Sequence, residues 1–139
     1  MKALVIVALL SFQMESFGQA SNPSTMDSTS IINLLKASSR KWIGDSTASN
    51  GFRDFLSLNN IYPCKCLLGL RWKSISRYLG KPNYYIDKGK FLEEGTVIYR
   101  YMTYSAFGGK DVSELGSRRL DIYVKNGIIT EVYIFELDG

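Results

Sequence analysis

One short stretch constrains the fold of this chain more than any other: Gly69-Leu-Arg-Trp-Lys-Ser-Ile-Ser-Arg-Tyr-Leu-Gly-Lys-Pro82. Ile75, Tyr78 and Leu79 recur at i, i+3 and i+4, and Trp72 extends the stripe backwards, so the spacing predicts a short amphipathic helix. Gly69 allows a sharp entry. Gly80 can take the positive φ that ends a helix, and Pro82 keeps the helix from resuming. Beyond Pro82 the apolar period changes from helical to two. The stretch is therefore the boundary between a helical half and a sheet half, and the chain reads as an α+β domain.

The N-terminus is a different kind of segment. Lys2 precedes an apolar run from Ala3 to Phe12, too short to span a bilayer, and Gly18-Gln19-Ala20 offers small residues for cleavage. Residues 1–20 read as a secretory signal peptide, cleaved between Ala20 and Ser21. Residues 21–30 are polar and aperiodic and read as a flexible linker, in which Ser28 or Ser30 could cap the next helix. Residues 31–139 remain as a single domain. An exported chain with net charge +4 has little prospect of meeting nucleic acid. Lys73 and Arg77, on one helix face, and Lys81 beyond its end are candidates for weak contact with anionic lipid.

Two further helices are expected before Gly69. Ile31, Leu34, Leu35, Ser38 and Trp42 share one face of a helix from Ile31 to Trp42. Phe52, Phe55 and Leu56 repeat at i, i+3, i+4 in a second, with Arg53 and Asp54 on its outer side. Asn59-Asn60 ends it, and Ile61-Tyr62-Pro63 reads as extended because a residue before proline avoids helical angles. After Pro82, Tyr85-Ile86 is a candidate edge strand. Thr96–Ser105, Ser117–Val124 and Ile128–Leu137 are the main strands, and residues 106–116 form the longest loop of the sheet half.

The turn at Lys125-Asn126-Gly127 decides which face of the sheet is core. A two-residue Asn-Gly turn would set Ile122 opposite Glu131. A three-residue loop sets Val124 opposite Ile128 and gathers Leu120, Ile122, Val124, Ile128, Val132 and Ile134 on one aliphatic face. The second is the coherent core. It sets Asp121 opposite Glu131, with Arg119 and Lys125 near. The other face then carries Tyr123, Ile129, Tyr133 and Phe135 among charges, which is aromatic for a solvent face. Either a helix or the 83–94 loop covers it, or it is a protein-binding surface.

The chemistry classes narrow quickly. The chain has no histidine, which removes Ser-His and Cys-His nucleophile pairs. Cys64 and Cys66 are the only cysteines, too few for a zinc site, and no metal or other cofactor is expected. A bridge across one residue is an unfavourable closure, so the pair reads as buried thiols, with a redox-active disulfide and intermolecular bridges as alternatives. Gly108-Gly109-Lys110 lacks the rest of a phosphate loop, and Glu93-Glu94 lies in a solvated stretch.

Gly69, Ile75, Leu79, Gly80 and Pro82, followed by Val97-Ile-Tyr-Arg-Tyr101 and Leu120-Asp-Ile-Tyr-Val-Lys-Asn-Gly-Ile128, together resemble the SmpA/OmlA (BamE-like) family of small outer-membrane assembly lipoproteins. The likeness covers residues 67–137. It implies two helices on one face of a three-stranded antiparallel sheet, an architecture also similar to beta-lactamase-inhibitor-type proteins. It implies a non-enzymatic module whose partner is another protein, such as one of the outer membrane, in the periplasm or secreted. Inhibition of a soluble enzyme and thiol-redox work by Cys64 and Cys66 are the alternatives. The chain departs from the family in having Arg71 at the helix-cap position. It also has no cysteine directly after the apolar run, so no lipid anchor is implied.

Overall fold

The computed structural model describes residues 26–105 and 116–137. The signal-peptide expectation, with its Ala20–Ser21 cleavage point, and most of the 106–116 loop lie outside them. Helix α1 spans Ser28–Gly44, α2 Phe52–Leu56, α3 Tyr62–Cys64 and α4 Trp72–Leu79, with a π-helical turn at Ser57–Ile61 joining α2 to α3. The sheet is antiparallel with four strands in sequence order: β1 (Tyr84–Ile86), β2 (Thr96–Tyr104), β3 (Arg118–Lys125) and β4 (Ile128–Glu136). The α+β class is as the sequence predicts, but the sheet has four strands rather than three. The addition is β1, where Tyr85 pairs with Tyr99 at the edge.

The helices lie on one face. Ile31, Leu34, Leu35 and Trp42 of α1 meet Ile75 and Leu79 of α4 over Tyr101, Leu120, Ile122, Val124 and Ile129 of the sheet. Tyr101 donates its hydroxyl to Gly80 O at 2.8 Å, and Trp72 stacks on Tyr99 with centroids 4.2 Å apart. The predicted helix boundary is therefore also the point where α4 is pinned to the sheet.

Several local expectations give way to longer-range contacts. The cap of α1 is Asp27, whose carboxylate accepts from Ser30 N at 2.8 Å, not Ser28 or Ser30. Residues 26–30 are consequently part of the domain rather than linker, and Met26 is buried in the core. Asn59-Asn60 does not end the second helical segment. The π turn widens the spacing so that Leu56 and Ile61, five apart, both face inward. The chain then stays helical through Tyr62 (φ −69°, ψ −48°) although Pro63 follows. Pro63 falls in the first turn of α3, where its missing N–H leaves no gap.

The largest correction is Arg53. The helical spacing predicts its side chain on the outer side of α2, yet Arg53 is only 2% exposed. The helix is rotated so that Arg53, Leu56 and Ser57 face inward. Arg53 Nε donates to Trp42 O at 2.8 Å, and Nη1 donates to Asn83 Oδ1 at 3.0 Å and to Met102 O at 3.3 Å. The guanidinium packs against both members of an edge-to-face ring pair, 5.0 Å from the Trp42 ring and 5.7 Å from that of Tyr101. Burial pulls its pKa down to about 10, opposed by the charge of Asp45. Asp45 is itself buried and accepts from Arg53 N and Asn50 N, both at 3.0 Å.

The β3–β4 hairpin follows neither simple register. Lys125 pairs with Ile128 across a two-residue Asn126-Gly127 turn with φ of 50° and 83°. A bulge then intervenes: Val124 pairs with Ile129, but Tyr123 pairs with Glu131, which leaves Thr130 over. The bulge restores Ile122 opposite Val132 and Leu120 opposite Ile134. Asp121 faces Tyr133, not Glu131. Ile129, buried to 1%, takes the core place expected for Ile128, which is 37% exposed.

Two outcomes test this packing. Arg53→Met removes the side-chain donor to Trp42 O, Asn83 Oδ1 and Met102 O and leaves buried Asp45 without its neighbouring positive charge. It should lower the unfolding free energy by about 3–5 kcal/mol, read from urea titration. Gly80 sits at φ 68° and ψ −162°, and an added Cβ would lie 3.0 Å from Ile43 Cγ1. Gly80→Ala should cost about 1–3 kcal/mol in the same assay, and a loss below about 0.5 would contradict the assigned geometry.

Candidate binding face

The face of the sheet opposite the helices is built by alternation. Arg119, Asp121 and Tyr123 of β3 point away from the aliphatic core, and register brings Phe135, Tyr133 and Glu131 of β4 beside them. Tyr123 and Tyr133 make an edge contact with centroids 5.4 Å apart, and Tyr133 leans on Phe135 at 5.8 Å. Three of the four predicted binding residues are thus one contiguous patch. The fourth, Ile129, is on the opposite face in the core, because the Thr130 bulge reverses the alternation.

The patch is open in part. Tyr133 is 38% exposed and Phe135 37%, while Tyr123 is half-buried. The helix layer does not cover it. The 83–94 segment reaches one end, where Lys125 Nζ and Glu93 Oε2 form an ion pair at 2.6 Å. Two furrows flank the patch and share Thr130 and Glu131. One, of about 310 Å³, runs between β4 and the turn carrying Tyr62, Lys65 and Leu68, and includes Tyr133. The other, of about 340 Å³, lies under Phe91 and Leu92 and includes Tyr123. Bulge, aromatics and furrows therefore form one relief.

A buried charge sits beneath it. Asp121 is fully buried and accepts from Arg100 Nε at 3.0 Å, with Arg119 Nε 3.5 Å from its other oxygen. The longer approach is a charge contact rather than a hydrogen bond, since Arg119 Nε and Asp121 Oδ1 have no hydrogen-bond partner. Burial pushes the Asp121 carboxyl above its ordinary range, and Arg100 and then Arg119 oppose the shift. Burial, followed by the charge of Asp121, raises the Tyr123 phenol. Hydrogen bonding with Glu131 is the first cause of the rise at Tyr133. Arg119 also lies over the Phe135 ring at 4.9 Å, so the guanidinium flattens against the patch instead of extending into water. Both tyrosines stay neutral at physiological pH, suited to hydrogen bonding and stacking.

Cys64 and Cys66 are joined in a disulfide, not held as buried thiols. Lys65, at φ 55°, reverses the chain directly after α3 and brings the two Cα atoms to 5.1 Å, within disulfide range. Spacing alone does not disclose that left-handed turn. Lys73, Arg77 and Lys81 are exposed on the helix side, away from the aromatic patch, together with Lys36, Arg40 and Lys41. Among the described residues none of these six is ion-paired. No helix among the described residues is long and apolar enough to cross a membrane, and no three Cys, Asp or Glu side chains there are placed to hold a metal ion.

Sequence reasoning missed Arg100, Tyr62 and Leu68. Arg100 was legible in principle, since it alternates with Ile98 and Met102 on the same strand face. Tyr62 and Leu68 were not, because their furrow forms between segments more than sixty residues apart. No protein-family model, characterised protein or solved structure matches this chain at a significant level.

The Asp121 cluster has a pH signature. A carboxyl whose folded pKa is raised contributes full stability below its unfolded pKa, near 3.8, and loses that contribution as pH rises through the folded value. Wild type should therefore gain on Asp121→Asn as pH falls from about 7 toward 4. Paired urea titrations at the two pH values read the difference, and a constant gap would show that burial does not raise this group.

Proposed function

We propose that this chain is a non-enzymatic protein-binding module of the bacterial envelope, of the kind that the SmpA/OmlA (BamE-like) resemblance implies. The observation that carries the reading is the contiguous Tyr123–Tyr133–Phe135 patch on the sheet face opposite the aliphatic core. Aromatic side chains with large area and few rotors are the usual anchors of protein interfaces, and here they are already mutually packed. The furrows on either side give a partner's chain places to lie. The exported location proposed from the apolar N-terminal run puts outer-membrane proteins within reach as partners.

The helix layer supports a subsidiary role. Lys36, Arg40, Lys41, Lys73, Arg77 and Lys81 give it an exposed positive surface suited to weak contact with anionic headgroups. The aromatic face would then be turned toward a protein partner.

Photo-crosslinking in cells from position 133, with mass spectrometry of the products, tests this reading. A repeated outer-membrane β-barrel partner is the expected result, and a crosslinker at exposed Lys88 should capture it far less. Phe135→Ala in the same cells should weaken capture roughly tenfold, since a truncated aromatic anchor costs more than about 1 kcal/mol. A repeated soluble enzyme would favour the inhibitor alternative. No repeated product from position 133 would remove the patch as the site.

A further inference from the structure

We propose that the Cys64–Cys66 bridge is a thiol–disulfide exchange site that takes a protein or peptide dithiol as substrate, a role independent of the aromatic face. The bridge encloses a single residue. A cross-link stabilises a fold mainly by closing a loop in the unfolded chain, and the gain shrinks as the loop shortens, so this bridge adds little as a staple. The surrounding backbone is fixed without it. Ile61 and Leu67, on either side, are fully buried. Ser28 Oγ donates to Cys66 O at 3.2 Å, and Gly69 N donates to Ile129 O at 2.8 Å. A frame so held can keep both sulfurs in place whether or not they are bonded.

The two sulfurs are not equivalent. Cys64 is 8% exposed, whereas Cys66 is half-buried and follows exposed Lys65, which lines the furrow beside β4. An incoming thiolate therefore meets Cys66 first. Cys66 N–H points at Cys64 Sγ from 3.1 Å, so the leaving sulfur already has a hydrogen-bond donor for the charge it acquires. Lys65 adds positive charge, and Glu131 and the C-terminal end of α3 oppose it. Because the amide is part of the same three-residue turn, it stays with the leaving group.

The chemistry balances in two steps. A partner thiolate bonds to Cys66 Sγ, the Cys64–Cys66 bond breaks, and its electron pair leaves on Cys64 Sγ, which takes up the proton the partner thiol released. The partner's second thiolate then attacks the partner's sulfur in the mixed disulfide and expels Cys66 as thiolate, which takes the second proton. The partner dithiol is oxidised to a disulfide by two electrons, and the Cys64–Cys66 bridge is reduced to two thiols. A low-molecular-weight disulfide such as oxidised glutathione returns the bridge to its starting state.

The test uses the whole chain with dithiothreitol and then with a reduced synthetic dithiol peptide, with alkylation and mass spectrometry to count thiols. The bridge should be reduced without urea, peptide disulfide should appear in equal amount, and the melting temperature should fall by less than about 5 °C. In the single variants, Cys64→Ser should form a mixed disulfide with oxidised glutathione roughly tenfold faster than Cys66→Ser, because Cys66 is the accessible sulfur. Reduction that occurs only as the domain unfolds in urea would overturn the proposal and make the bridge structural. Equal capture by the two variants would overturn the assignment of Cys66 as the attacked sulfur.

Discussion

A buried cation, Arg53, ties the helices to the sheet in register. Arg53 links the C-terminal end of α1 through Trp42 O, the approach to β1 through Asn83, and the middle of β2 through Met102 O. Its backbone N–H is taken by Asp45, which also stabilises the turn after α1. An unpaired buried guanidinium is costly, so the cation is retained only if every one of these segments is in place. The edge-to-face ring pair of Trp42 and Tyr101, against which it packs, narrows the geometry further. Apolar burial brings helices and sheet together, but burial is non-directional. Arg53 supplies direction, with the Tyr101–Gly80 hydrogen bond and the Asp54–Arg118 ion pair beside it.

That lock has a consequence for the other side of the sheet. With the helices committed to one face, the opposite face of β3 and β4 carries whatever the alternation delivers. The Thr130 bulge is the second determinant. It lets a tight Asn-Gly turn coexist with an aliphatic core, and it leaves Tyr133 and Phe135 on the outer face while Ile129 goes inside. The segment from Gly69 to Trp72 pairs with the start of β4 and covers the edge there, through Gly69 N to Ile129 O and Ile129 N to Leu70 O. The remainder of β4 borders the furrow toward Tyr62 and Leu68. Aromatic patch and disulfide turn are therefore neighbours on two sides of one strand.

What the sequence discloses follows from range. The α4 boundary was legible because Gly80 and Pro82 act on their own backbone. The inward face of α1 was legible because five residues share one helical stripe. The three long strands were legible from β-branched and aromatic alternation. Arg53 was not, because a polar residue's burial depends on partners 11, 30 and 49 residues away. Pro63 misled because the rule for the residue before it is a preference, and a proline in the first turn of α3 gives up no hydrogen bond. Of the candidate site, Tyr123, Tyr133 and Phe135 were found from period two alone. Ile129 was misplaced because a bulge shifts the period by one, and neither simple turn type contains it. The disulfide was missed because it needs a left-handed Lys65, a conformation that lysine does not advertise.

The most direct measurement on this central lock is proton exchange at the Arg53 side chain, followed by NMR on isotopically labelled protein. If Arg53 is the hub, its Nε–H gives a distinct resonance, and its exchange with water is slowed by orders of magnitude relative to that of exposed Arg40. An Arg53 Nε–H that exchanges as fast as that of Arg40 would mean that the side chain is solvated and is not the hub that ties the helix layer to the sheet.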